Sequence, residues 1–188
     1  WYKRQARMKT KKLCWLGIVW VMLLAMLPVK AMAEEATGPE IVPLASGLSY
    51  ATRINANYLL NAATDGTPVD GTNVTVWSNT GHATQRWTQS GHPRVSGCYY
   101  MRNDKDARFV IARSGFNCFL KLANDFDGYN QAIKYVFEGM YAGRYTTYGL
   151  VLPEALMCVT STNASNGSNV GFYAPNGSSS QLWVENYY

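Results

Sequence analysis

Side chains able to do covalent chemistry are sparse in this sequence. His82 and His92 are its two histidines, each following a glycine in a loop-like stretch and neither part of a nucleophile or metal-ligand pattern. The carboxylate pairs Asp104/Asp106 and Asp125/Asp127 could be imagined as the two acids of a glycosidase. Their neighbours are Asn, Lys and Gly, however, which is turn chemistry. Phosphate-cradling glycine loops are absent. What remains is binding chemistry: aromatic side chains beside amides, as in Trp77 with Gln85 and Tyr173 with Gln181. A ring offers a flat apolar face, and an amide offers both a donor and an acceptor. A non-catalytic chain with no metal and no cofactor is expected.

These residues recur in step along the chain. Asp70-Gly71-Thr72-Asn73-Val74-Thr75-Val76-Trp77 has a close counterpart in Asn166-Gly167-Ser168-Asn169-Val170-Gly171-Phe172-Tyr173 and a looser one in Ser114-Gly115-Phe116-Asn117-Cys118-Phe119-Leu120-Lys121. Downstream of each lies Gln-x-hydrophobic: Gln85-Arg86-Trp87, Gln131-Ala132-Ile133 and Gln181-Leu182-Trp183. The turn glycines Gly71, Gly115 and Gly167 are 44 and 52 residues apart, and the glutamines are 46 and 50 apart. Two markers that keep step over three copies indicate three units of one architecture. Short runs of Tyr, Val, Thr, Ile and Phe broken by Gly, Asn, Asp and Pro make it all-β. Residues two apart on a strand share a face, so Trp87, Trp183 and Ile133 are expected in the core, with the glutamine amides satisfying loop backbone groups.

The repeat resembles the ricin B-type lectin family, whose domains are β-trefoils of three units, each ending in Gln-x-Trp. The resemblance runs from about Leu48 to Tyr188 and is strong in the first and third units. It implies a carbohydrate-binding module. Each family site takes an acidic residue from the early strand, an aromatic from the end of the Gly-x-Asn strand, and an Asn next to the glutamine. Carried onto the first unit, these are Asn61 in the acidic place, Trp77, Thr84 in the Asn place, and Gln85. In the third unit they are Thr160, Tyr173, Ser180 and Gln181, a weaker set. In the second unit Asn130 and Gln131 match, but Lys121 replaces the aromatic and Ala112 the acid, so no site is expected. Replacing Asp with Asn removes the charge that strengthens hydrogen bonds to hydroxyls. Asp65 and Asp70 lie on the loop between Asn61 and Trp77, where either could replace the missing carboxylate; solvated turn residues are the expectation.

The worn site leaves an alternative, a protein-binding trefoil such as a protease inhibitor or a toxin-complex subunit. The two differ in whether Trp77 stands exposed in one cleft with Asn61 and Thr84. The tyrosine-rich segment from Tyr135 to Leu152 could serve a separate surface, although packing is the expected role of its tyrosines.

Upstream of the domain the chain reads as processing sequence. Residues 1–7 look like an upstream remnant. Residues 8–33 have the charged head, apolar run and Ala31-Met32-Ala33 end of a secretory signal peptide, with an apolar run of about fifteen residues against the roughly twenty of a spanning helix. Residues 34–47 are expected to be a flexible lead-in, with the domain at 48–188. The full chain carries 17 basic and 12 acidic side chains, net +5. Seven of the basic residues and none of the acidic ones precede Glu34, so the mature chain has a net charge of −2. That removes the basic surface a nucleic acid would need. The expectation is a secreted, bacterial, glycan-binding module with a possible partner protein and no membrane span after cleavage. Cys98, Cys118 and Cys158 allow at most one internal pair; Cys118 and Cys158 lie in apolar strand-like contexts, and a pairing of Cys98 stays open.

Overall fold

The computed structural model describes residues 43–124 and 128–187. The upstream remnant, the signal peptide and residues 34–42 of the lead-in lie outside the described residues, as do Asp125 and Asp127. The first strand, β1 (Pro43–Thr52), begins before Leu48, because Pro43 and Ala45 already pair with Ser90 and Gln89. The end of the expected lead-in is therefore ordered as strand. Eleven further strands follow in the described residues: β2 (Tyr58–Ala62), β3 (Val74–Ser78), β4 (Trp87–Gly91), β5 (Tyr99–Asn103), β6 (Asp106–Ser114), β7 (Asn117–Leu122), β8 (Lys134–Tyr141), β9 (Tyr145–Leu152), β10 (Met157–Ser161), β11 (Ser168–Tyr173) and β12 (Leu182–Tyr187).

Six of these strands close a barrel. β1 pairs with both β12 and β4, β4 with β5, β8 with β9, and β9 with β12. Between β5 and β8 the ring closes through Ile133, whose N–H donates to Tyr99 O at 2.9 Å while Tyr99 N–H donates back at 2.8 Å. The other six strands form three hairpins, β2–β3, β6–β7 and β10–β11. Each joins the next: β3 to β11, β11 to β7, and β3 to β7 through an Asn73–Phe119 bridge. A barrel leaves no open edge, and the three hairpins are joined to one another by these pairings.

Alternation explains the packing. In β7, Cys118 and Leu120 are buried while Asn117, Phe119 and Lys121 are not. Trp87, Trp183 and Ile133 are fully buried, as the motif requires. Each indole also donates to a backbone carbonyl, Trp87 to Leu60 O at 3.2 Å and Trp183 to Val159 O at 2.9 Å. Both acceptors lie one residue before a site position, Asn61 or Thr160, so the buried indoles hold the hairpins that carry the candidate sites. Cys98, Cys118 and Cys158 are free, buried thiols, and burial raises the pKa of all three.

The Gly-x-Asn turns account for the union of the hairpins. Gly71, Gly115 and Gly167 adopt φ of +88°, +59° and +80°, the left-handed region open to glycine. Two residues on, Asn73 Nδ2 donates to Asn169 Oδ1 at 2.8 Å, and Asn169 Nδ2 to Asn117 Oδ1 at 3.5 Å. The motif asparagines of all three hairpins thus meet in one chain of amides.

Candidate functional site

Strand register sets which residues share a position in each hairpin. Asn61 is opposite Thr75, and Leu59 opposite Trp77. The same register places Ala112 opposite Phe119 and Val110 opposite Lys121, and places Thr160 opposite Gly171 and Cys158 opposite Tyr173. Asn61, Ala112 and Thr160 are therefore equivalent, as are Trp77, Lys121 and Tyr173.

In the first hairpin a cleft of about 570 Å³ opens beside Trp77, lined also by Asn61, Thr75, Thr84, Asp65 and His82. Trp77 is 41% exposed. Its neighbour across the hairpin junction is the β10–β11 tip, held to β3 by Gly167 N–H to Val76 O at 3.0 Å and by Ser78 N–H to Asn166 Oδ1 at 2.7 Å. Because the tip brings Gly167 against the ring, no side chain covers it there; a Cβ on Gly167 would stand 3.7 Å from the indole.

The cleft floor is a hydrogen-bonded chain. Asn61 Nδ2 donates to Thr75 Oγ1 at 3.4 Å, Thr84 Oγ1 donates to Asn61 Oδ1 at 3.0 Å, and His82 Nδ1 lies 2.9 Å from Thr84 Oγ1. Asn61, Thr75 and Thr84 are buried, whereas His82 and Asp65 are exposed at the rim. An apolar ring beside fixed amide and hydroxyl groups suits a hydroxyl-bearing ligand with one apolar face. Of the two rim residues, Asp65 is the loop aspartate that could replace the missing carboxylate, and the cleft includes it; His82 lies outside the motif, and its signal in the sequence is only proximity to Thr84.

Gln85 is turned elsewhere. Its Oε1 accepts from Thr80 N–H at 2.9 Å and from the Thr80 hydroxyl, and its Nε2 donates to Ser78 O at 2.9 Å. Gln131 does the same with Asn124 N–H and Leu122 O, and Gln181 with Asn176 N–H and Ala174 O. All three amides clamp the loop that follows the Gly-x-Asn strand, which leaves Gln85 and Gln181 as supports to the loop instead of ligand contacts.

The third hairpin brings its expected residues together differently. Thr160 Oγ1 donates to Cys158 O at 2.9 Å and accepts from Gln181 Nε2 at 3.2 Å, and the Ser180 hydroxyl lies 2.7 Å from that of Ser178. Tyr173 is 39% exposed but stacks on Phe116, with ring centroids 5.8 Å apart and planes 14° from parallel. Phe116 stands at the middle position of Gly-x-Asn, where the other turns have Thr72 and Ser168. A Cβ on Gly171 would come within 2.7 Å of the Tyr173 ring, in the place that Thr75 fills in the first hairpin. One ring face of this unit is thus already occupied.

Asp70, Asp104 and Asp106 fall in structural roles. Asp70 accepts from Leu122 N–H at 2.8 Å, joining its turn to β7, while Asp104 accepts from the Thr88 hydroxyl at 2.7 Å. Asp106 pairs with Arg108 at 2.7 Å, and that guanidinium holds its carboxyl below the usual range. Among the described residues no group of three or more His, Cys, Asp or Glu is placed to hold a metal ion, and no helix is long and apolar enough to cross a membrane.

No protein-family model matches the chain, and no curated protein is similar to it in sequence. Solved structures do match. ThreeFoil, a designed 3-fold symmetric protein, is 23% identical with a TM-score of 0.61, over 74% of this chain and 97% of its own. The BEL beta-trefoil is 14% identical with a TM-score of 0.55, over 79% and 97%. The chain has the β-trefoil fold. The trefoil also matches a Polyporus squamosus lectin bound to a human-type influenza-binding epitope at 16% identity and a TM-score of 0.58, over 76% of this chain but 49% of that one. In a mosquitocidal holotoxin it spans 16% of the matched chain, at 14% identity and a TM-score of 0.62.

Proposed function

We propose that the chain is a secreted, non-catalytic trefoil of the ricin B-type lectin kind, built of three repeat units, that binds carbohydrate through the cleft at Trp77. The observation that carries this reading is the half-open indole of Trp77 beside Asn61 and Thr84 in one cleft. A pyranose would lay its C–H face on the indole and direct hydroxyls at the floor and at the rim residues Asp65 and His82. The matched lectin, which binds a glycan epitope, supports the class of ligand, not its identity. Single shallow sites bind weakly, so glycans presented in several copies are the natural target.

The test is a glycan array on the chain and on Trp77→Ala. The reading requires saccharide signals that Trp77→Ala abolishes; signals indifferent to that change, or none at all, would remove it.

A second reading, a protein-binding trefoil or toxin-complex subunit, is favoured by one feature. On the β8–β9 hairpin Phe137 and Met140 are 62% and 49% exposed. Loss of partner capture on Phe137→Ser, with glycan binding absent, would select this reading.

A further inference from the structure

Three of the four described aspartates are held by partners. Asp70 accepts from Leu122 N–H, Asp104 accepts from the Thr88 hydroxyl, and Asp106 forms an ion pair with Arg108. Asp65 has no hydrogen bond or ion pair among the described residues, and it is the aspartate that lines the cleft at Trp77. Its place on the β2–β3 loop is fixed by its neighbours. Thr64 N–H donates to Ala62 O at 2.8 Å and Gly66 N–H to Thr64 Oγ1 at 3.1 Å, so the backbone on either side is tied while the Asp65 side chain stays exposed.

The rest of the cleft leaves that carboxylate uncompensated. No Lys or Arg lines it, and His82 is its other ionisable residue. The floor is neutral and already bonded within itself, Asn61 to Thr75 and Thr84, and Thr84 to His82. Buried Asn61 holds the place where the family pattern has an acid. A charge there would be stripped of water, whereas at exposed Asp65 it keeps its water until a ligand arrives.

Two features of the cleft favour the same sign of charge. The half-exposed indole of Trp77 attracts a cation placed over its face. A hydroxyl can donate to Asp65, but an ammonium both donates and neutralises it. An acidic sugar would bring a second negative charge into a cleft that has no lysine or arginine to receive it.

We infer that the cleft selects sugars with a free amine, 2-amino-2-deoxy sugars in their ammonium form, over their N-acetylated and hydroxyl counterparts, and disfavours acidic sugars, with Asp65 as the specificity-determining residue. The inference rests on the carbohydrate reading of the cleft and names the class of saccharide. The pyranose lays its C–H face on the indole, and the ammonium at the ring edge meets the rim carboxylate. A partly deacetylated aminopolysaccharide presents this chemistry in many copies, which offsets the weakness of one shallow site.

The test binds the full chain to polymers displaying galactose, N-acetylgalactosamine or galactosamine, to the matching glucose series, and to a sialic acid polymer. Binding is read at about pH 6, where an amine of the α-amino kind is charged. In at least one series the amine is expected to bind about five- to tenfold more strongly than its N-acetyl counterpart, the effect of one rim ion pair and a cation near a ring. The sialic acid polymer should bind least, and Trp77→Ala should abolish the signals. Asp65→Asn keeps an acceptor oxygen but removes the charge, and should bring amine and N-acetyl members level. Asp106→Asn removes an equal charge outside the cleft and should keep the preference.

Equal binding of the three members in both series, or a preference for the amine that survives Asp65→Asn, overturns the inference and leaves the sugar site standing. So does a preference lost equally in Asp106→Asn, or an amine signal indifferent to Trp77→Ala, since both mean adsorption to net negative charge. Choline, an ammonium without a sugar ring, serves as competitor. Displacement equal to that by the free amino sugar would place recognition on the cation alone and remove amino sugars as the ligand. If no sugar gives a Trp77-dependent signal, the carbohydrate reading falls and the preference with it.

Discussion

Asn73 on β3 donates from Nδ2 to Oδ1 of Asn169 on β11, 96 residues later, at 2.8 Å. Asn169 passes the contact on to Asn117 at 3.5 Å, so the third residue of each Gly-x-Asn turn contributes to the junction of three hairpins. The motif that repeats in the sequence is the motif that joins the units. Its polar residue belongs to the fold and is separate from the cleft at Trp77.

Asn169→Ala removes the acceptor of Asn73 and the donor to Asn117 together. A loss of about 1–2 kcal/mol is expected in urea unfolding, with binding at the cleft unchanged. Stability equal to that of the native chain would mean that the amide chain contributes nothing to the junction.

The two kinds of tryptophan should separate stability from binding. Trp87→Phe strips a fully buried indole of its bond to Leu60 O and leaves a void, at a cost of about 2–4 kcal/mol. Trp77→Ala touches a half-exposed ring and should shift unfolding by less than about 1 kcal/mol while abolishing saccharide signal. Thermal melts and glycan binding on both variants check the contrast.

Gln85→Glu tests the loop clamp with one atom. The new carboxylate would face the carbonyl of Ser78, where the amide donates at 2.9 Å. It should destabilise the fold by about 1–3 kcal/mol at neutral pH. Protonation restores a donor, so the folded protein raises this carboxyl's pKa, and the deficit should shrink as the pH falls through the acid range. Urea midpoints at neutral and acid pH, each compared with the native chain, measure it; a deficit independent of pH would count against the clamp.

Burial pushes the hydroxyl of Tyr50 well above its usual value, with Tyr135 and Glu185 adding to the shift, and burial raises Tyr135 likewise. The unfolded chain ionises tyrosine near about pH 10. Because the folded state holds these two neutral, the stability they confer is full below that pH and is lost as the pH rises above it. Tyrosinate absorbance should show a fraction of tyrosines that ionise only on unfolding, and Tyr135→Phe should flatten the alkaline loss of stability.

The architecture was legible because it rests on local chemistry repeated three times. Left-handed turns need glycine, so Gly71, Gly115 and Gly167 mark the hairpin tips. Strand alternation then buries Trp87, Ile133 and Trp183 at matched distances. The register even made Asn61, Ala112 and Thr160 equivalent, as counting along each unit suggests.

The cleft was less legible, because its selectivity comes from contacts between units. Whether an aromatic at the end of a Gly-x-Asn strand stays bare depends on the tip of another hairpin. Gly167 and Ser168 leave Trp77 open, whereas Phe116 stacks on Tyr173. Gln85 sits beside Thr84 in sequence, yet its amide closes on its own loop and His82 takes the rim. Turn propensity and side-chain alternation act over a few residues, and these the sequence determined by itself. Which ring is covered depends on packing between residues 57 apart, Phe116 and Tyr173, or 90 apart, Trp77 and Gly167, and only the tertiary structure decided it.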